Sequence, residues 1–106
     1  MKPPLTLTLV MYDITYDRAL QKTAKLLEKH GYERINYSVW LGWRSIKDDD
    51  LLRESIKKLL AHPKAKGSRL FWMPLKLHTL KQLRSITGHK PAELDYWIGE
   101  RKILFL

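Results

Sequence analysis

Leu5-Thr6-Leu7-Thr8-Leu9-Val10-Met11-Tyr12-Asp13-Ile14-Thr15 carries the pattern on which the fold reading turns. Apolar and hydroxyl residues alternate for five positions, and the stretch then becomes apolar on both faces. Such alternation is the mark of a strand. It predicts a leucine face directed to a core, and a second face of Thr6, Thr8, Val10 and Tyr12 directed elsewhere. Asp13 closes the strand. Thr15 or Asp17 can cap a following helix. Leu20, Thr23, Ala24 and Leu27 then recur at helical spacing, with Lys22, Lys25 and Lys29 on other faces. Gly31 is placed to stop that helix in the left-handed region.

Further along, Tyr32 to Trp43 is rich in Ile, Tyr, Val and Trp. It is too long for one ordinary strand, so it predicts a bent strand or a tight hairpin near Tyr37-Ser38. Asp48, Asp49 and Asp50 follow, read as capping and dipole-complementing residues of a helix striped by Leu52, Ile56, Leu59 and Leu60. His62-Pro63 ends it, and Lys64 to Gly67 reads as a turn. Arg69 to Met73 reads as a strand closed by Pro74. Thr79 and Gln82 have capping-box spacing ahead of a short Leu80/Leu83/Ile86 helix. Tyr96-Trp97-Ile98 and Arg101 to Leu106 read as a terminal strand or hairpin.

This order predicts an α+β fold, a single ferredoxin-like βαββαβ domain over residues 1–106. Residues 78–106 form a C-terminal extension with a short helix and an additional strand. Helices cover one face of such a sheet and leave the other bare. The bare face is expected to carry Val10, Tyr12 and a Tyr or Trp of the second strand, and to meet a ligand or another copy of the chain. The final strand can pair with a sheet edge of that partner. A homodimer is therefore expected.

Composition narrows the function. The chain has 106 residues, 44% apolar, which suits one globular domain. It has no cysteine, which excludes disulfide scaffolds, thiolate metal sites and cysteine nucleophiles. No stretch of about 18 apolar residues could cross a membrane. The N-terminus lacks the features of a secretory signal, so a cytoplasmic location is expected. The net charge is +9. Residues 53–90 hold ten Lys and Arg, including Lys57, Lys58 and Lys64, against the single acid Glu54. Such a field attracts polyanions, nucleic acid foremost. An acidic protein, or a solvated surface with no partner, would also account for it.

Most standard catalytic signatures are missing: no Gly-rich phosphate loop, no His metal spacing, no nucleophile elbow. His30, His62, His78 and His89 sit in separate segments and read as surface residues. Asp13 is the suggestive carboxylate, at the carboxyl end of a strand where crevices form. Mg²⁺ is often held by one or two carboxylates, with water and phosphate completing its shell. A dimer could bring two Asp13 side chains beside one axis. Asp-x-Thr is equally good turn chemistry.

Leu9-Val-Met-Tyr-Asp-Ile-Thr15, a basic helix, Gly31, and Arg34-Ile-Asn-Tyr-Ser-Val-Trp40 together resemble the CRISPR-associated Cas-two (Cas2) family. That family supplies the small ferredoxin-like subunit of spacer acquisition. The resemblance is specific over residues 9–40 and looser beyond. It implies a homodimer with sheets packed face to face, and a Mg²⁺-dependent endonuclease cutting RNA or DNA. By the same resemblance Asp13 is the metal ligand, Ser38 a catalytic-site residue, and Arg34 and Trp40 nucleic-acid contacts. Lys22 takes a position usually held by arginine, with Arg18 nearby; it keeps the charge without the bidentate fork. Asn36 replaces the family's usual Gln, and Trp40 its Phe. The family also bridges dimers of the larger integrase subunit across a DNA duplex. Two other readings share this fold: a non-catalytic DNA-bridging adaptor and a toxin-type ribonuclease.

Overall fold

The computed structural model describes residues 7–45 and 47–84. The elements run β1 (Leu7–Asp13), α1 (Asp17–Lys29), β2 (Glu33–Asn36), β3 (Val39–Trp43), α2 (Asp50–Leu60), β4 (Arg69–Leu75) and α3 (Leu77–Lys81). Short 3₁₀ turns at Lys47–Asp49 and Pro63–Ala65 flank α2. The expected terminal strand and residues 85–106 lie outside the described residues.

All strand pairs are antiparallel, in the order β2-β3-β1-β4. That is the ferredoxin-like arrangement. The hairpin expected near Tyr37-Ser38 is present, with a register irregularity between Arg34 and Asn36. Gly31 has φ +88°, the left-handed stop that any residue with a Cβ would resist.

The two faces of β1 are exchanged relative to the sequence expectation. Val10 and Tyr12 face the helices, where they pack with Leu27, Tyr32, Trp40, Leu52 and Ile56 into the main core. The odd-numbered residues take the other face. There the rows across the sheet are Trp43/Leu7/Leu75, Leu41/Leu9/Met73, Val39/Met11/Phe71 and, at the end, Asp13/Arg69. Alternation defines two faces but not which one the crossovers cover; the handedness of the β1-α1-β2 and β3-α2-β4 connections decides that. Chemistry agrees with the outcome. The covered face carries the Thr8 and Tyr12 hydroxyls and the Trp40 and Trp72 indoles, and burial requires partners for them. Thr8 Oγ1 donates to the Arg44 carbonyl, Trp40 Nε1 to Tyr12 Oη at 3.0 Å, and Trp72 Nε1 to Tyr32 Oη at 3.2 Å. Gly42 completes this face, because a Cβ there would lie 2.6 Å from the Tyr32 ring.

The odd face is partly covered in its own way. Leu80 of α3 packs on Leu7 and Leu41, with Leu75, Leu77 and Leu83 around them. Cover is lost toward the Asp13 end, where Met73 is 41% and Phe71 55% exposed.

Three capping expectations are corrected. The α1 N-cap is Tyr16, with no side-chain cap. Thr15 turns instead to the α2–β4 connection: its N–H donates to Ser68 Oγ (2.9 Å) and its hydroxyl to the Lys66 carbonyl (3.2 Å). Asp49 is an N-cap by position only. Its buried carboxylate accepts from Tyr32 Oη and Arg44 Nε, long-range partners that a local pattern does not reveal. Thr79 lies inside α3, which begins at Leu77 after Lys76, so no capping box forms there.

Candidate nucleic-acid and metal site

The carboxyl end of β1 collects three connections. Asp13 is exposed there, and its register partner on the same face is Arg69, the first residue of β4. Directly opposed residues in an antiparallel pair stand about 5 Å apart at Cα. Neither side chain makes an ion pair or hydrogen bond with another described residue. The Thr15–Ser68 contacts tie the turn after Asp13 to the turn before Arg69, which holds the two strand ends together. The β2–β3 turn closes on the other side, where the Ser38 carbonyl accepts from Tyr12 N–H at 3.1 Å. That bond places Ser38 beside the residue preceding Asp13. The Ser38 hydroxyl has no partner among the described residues.

Asp13 offers a hard oxygen donor of the kind Mg²⁺ takes. Among the described residues no group of three His, Cys, Asp or Glu converges as a metal cluster. Asp13 alone fits a water-rich Mg²⁺ site only when further donors, from substrate or from another part of the assembly, complete the shell.

The predicted nucleic-acid residues divide. Arg34 is exposed, its guanidinium 4.7 Å from the Trp40 ring centroid and 5.9 Å from that of Tyr37. Trp40 itself is a correction. It is buried at 3% exposure with its N–H engaged, so it supports Arg34 from beneath and has no face for a nucleotide. The reason is its place on the covered face, opposite Val10. Arg18, Lys22 and Lys58 line one cleft of about 200 Å³ with Tyr16 and His62. Lys64 joins them, its Nζ 5.7 Å from the Tyr16 ring. Lys22 also borders the adjoining α1/α2 groove with Lys25 and Lys29, over a floor of Leu26 and Leu59. Lys57 instead lines a separate groove with Arg53, Leu70 and Trp72. The basic cluster thus lies on the outer surface of the helices, while the register puts Asp13 on the opposite face of the sheet.

The Tyr32–Asp49–Arg44 group is structural. Burial, then the hydrogen bond to Asp49 and the Asp49 charge, push the Tyr32 phenol far above its ordinary value of 10.0. It stays a protonated donor and cannot serve as a base at neutral pH.

Arg69, Ser68 and Tyr37 were absent from the sequence-derived site. A basic residue opening a strand was visible at Arg69, but its position across from Asp13 is a fact of register.

The model of the CRISPR associated protein Cas2 family matches residues 6–82. This chain belongs to the Cas2 family. The motif resemblance over residues 9–40 is borne out. A curated relative, the CRISPR-associated endoribonuclease Cas2 1 of Archaeoglobus fulgidus, is 39% identical over 54 residues, which cover 51% of this chain. The chain spans 57% of that relative's length. A hypothetical protein of Thermus thermophilus superposes with TM-score 0.62 at 26% identity, covering 82% of this chain and 95% of its own. A chain from a partial Cas6-RT-Cas1–Cas2 complex superposes with TM-score 0.65 at 22% identity, covering 83% of this chain and 98% of its own; that likeness speaks to the fold alone. Among the described residues no helix is long and apolar enough to cross a membrane.

Proposed function

We propose that this Cas2 chain is a Mg²⁺-dependent endonuclease of RNA or DNA that works as a homodimer beside the integrase subunit in spacer acquisition. The observation that carries the reading is the exposed Asp13/Arg69 pair at the rim of an open sheet face. Next to that pair β1, β3 and β4 carry Met11, Val39, Phe71 and Met73 on this face. Covering it with a second copy removes apolar area from water without stranding a polar group. The same packing can bring the Asp13 carboxylate of a second copy to the site. Charge agrees, since the outer helix surface is basic and the relative from Archaeoglobus fulgidus is named an endoribonuclease.

Asp13 would hold the cation, and Ser38 would orient water next to it. Arg69 adds a positive charge for a phosphodiester oxygen. Arg34 and Lys22 hold flanking phosphates, and Arg18, Lys57, Lys58 and Lys64 hold a longer duplex at the helix surface. When bound, Mg²⁺ supplies Lewis-acid polarisation of the phosphate and acidifies water.

Asp13→Ala, purified as a sized dimer, is expected to lose cleavage in Mg²⁺ by about a hundredfold or more while keeping duplex affinity. Cleavage retained by that variant overturns the catalytic assignment. The second reading is a non-catalytic bridging adaptor, favoured by the lack of a clustered ligand set among the described residues; wild-type binding without cleavage would establish it.

A further inference from the structure

We infer that Tyr37 is a stacking platform for one unpaired nucleobase, so that the protein holds a single-stranded or splayed segment beside the Asp13 end of the sheet. This rests on the reading of the chain as a nucleic-acid-binding protein and adds a base-binding subsite to it.

Tyr37 sits in the β2–β3 turn with its side chain 69% exposed. Among the described residues the other exposed large apolar side chains are Leu51, Phe71 and Met73. Phe71 and Met73 belong to the open sheet face. Leu51 lies in the first turn of α2. Tyr37 belongs to neither, and packing gives no reason for its ring.

The turn that carries it is held in place. Tyr37 N–H donates to Asn36 Oδ1 at 2.9 Å, a local bond of the kind that fixes turns. The register irregularity at Arg34/Asn36 re-aims the strand just before it. Arg34 is stacked over buried Trp40 at 4.7 Å, and its guanidinium stands 5.9 Å from the Tyr37 ring. The buried indole orients the arginine, which in turn flanks the tyrosine. At 69% exposure the ring still has a large area open to a ligand.

A cleft of about 330 Å³ adjoins this ring, lined by Leu20, Gln21, Ala24, Lys25, Arg34 and Tyr37. Its chemistry reads as that of a nucleotide subsite. The aromatic ring and the Leu20/Ala24 floor suit a base, the Gln21 amide suits a base edge, and Lys25 with Arg34 suits a phosphate. Among the described residues no carboxylate lines it, so they offer a cationic or zwitterionic guest no counter-charge. In a duplex each base is already stacked between its neighbours and the backbone faces outward, so a paired base cannot reach the ring. An unpaired one can. Ser38, the next residue, carries the bond that joins this turn to Tyr12, so the subsite and Asp13 share one end of the sheet.

The test is equilibrium binding in EDTA, where hydrolysis cannot contribute. The full chain is titrated with a single-stranded oligonucleotide carrying 2-aminopurine and, separately, with a blunt hairpin duplex. Tyr37→Ala is expected to lose about tenfold in single-strand affinity, together with the fluorescence quench. Tyr37→Phe keeps both. Hairpin affinity is unchanged by either. Lys25→Ala flattens the salt dependence on the single strand by about 0.7, whereas Tyr37→Ala leaves that slope alone, because stacking releases no counterion. Unchanged single-strand affinity in Tyr37→Ala, or equal losses on both substrates, overturns the subsite. Wild type binding the hairpin but not the single strand also overturns it and leaves the duplex reading intact. Wild type binding neither removes the nucleic-acid reading as well. Loss of the nuclease reading would show in the Asp13→Ala assay alone.

Discussion

The two faces of the sheet are both apolar, and they are put to different uses. The face toward α1 and α2 carries Thr8, Val10, Tyr12, Trp40 and Trp72, a mixture of ring, hydroxyl and indole groups. The helices enclose it, and its polar atoms find one another or reach the backbone. On the opposite face β1, β3 and β4 carry Leu, Met, Val and Phe toward Asp13 and Arg69, with Trp43 at the far end and Glu33 on the edge strand. A face full of donors needs fixed partners, which one chain can provide by folding. A hydrocarbon face needs only to be covered, which a second copy can do. Hydrophobicity alone does not distinguish core from contact surface; polar content does.

The contrast can be broken most severely at Trp40. Trp40→Ala removes a buried ring and its bond to Tyr12, at an expected cost of about 3–5 kcal/mol, read from the midpoint of urea unfolding. A loss below about 1 kcal/mol would mean that the covered face is not the core.

A subtler intervention is Tyr32→Phe. It deprives Asp49 and Trp72 of one partner each and is expected to cost about 1–2 kcal/mol at neutral pH. Its pH dependence has a definite sign. The folded-state phenol titrates above the unfolded one, so its contribution is complete below the ordinary value of 10.0 and is lost progressively above it. Wild type and Tyr32→Phe should therefore converge in melting temperature as the solution becomes strongly alkaline. Parallel curves across that range would dissociate the phenol from the stability of the covered face.

The smallest effect on the folded chain belongs to the open face. Phe71→Glu should change the stability of the monomer by no more than about 0.5 kcal/mol. It should nonetheless convert the proposed homodimer into a monomer, read by sedimentation. A dimer that survives this substitution would place the partner on another surface.

Much of the fold was legible in the chain. The β1 alternation, the Leu20/Thr23/Ala24/Leu27 and Leu52/Ile56 stripes and the Gly31 stop each depend on residues a few positions apart, and all reappear in place. Asp13 was visible as a carboxylate at a strand end, and Arg34 as a basic residue on the next strand along the chain. Less accessible were Asp49, which resembled two neighbouring aspartates yet is buried against Tyr32 and Arg44, and Trp40, whose aromatic side chain suits a core as well as a nucleotide. Arg69 was one cation among ten in its window until register set it across from Asp13.

Element types, their order and the charge of the chain follow from local chemistry: side-chain period, turn residues and composition are properties of neighbours along the backbone. The side of the sheet that the helices take, the pairing of Asp13 with Arg69, and the separation of Lys57 from Lys58 and Lys64 emerge only on folding. They depend on crossover handedness and on register between residues as many as 68 positions apart, Leu7 and Leu75, which no short window of sequence encodes.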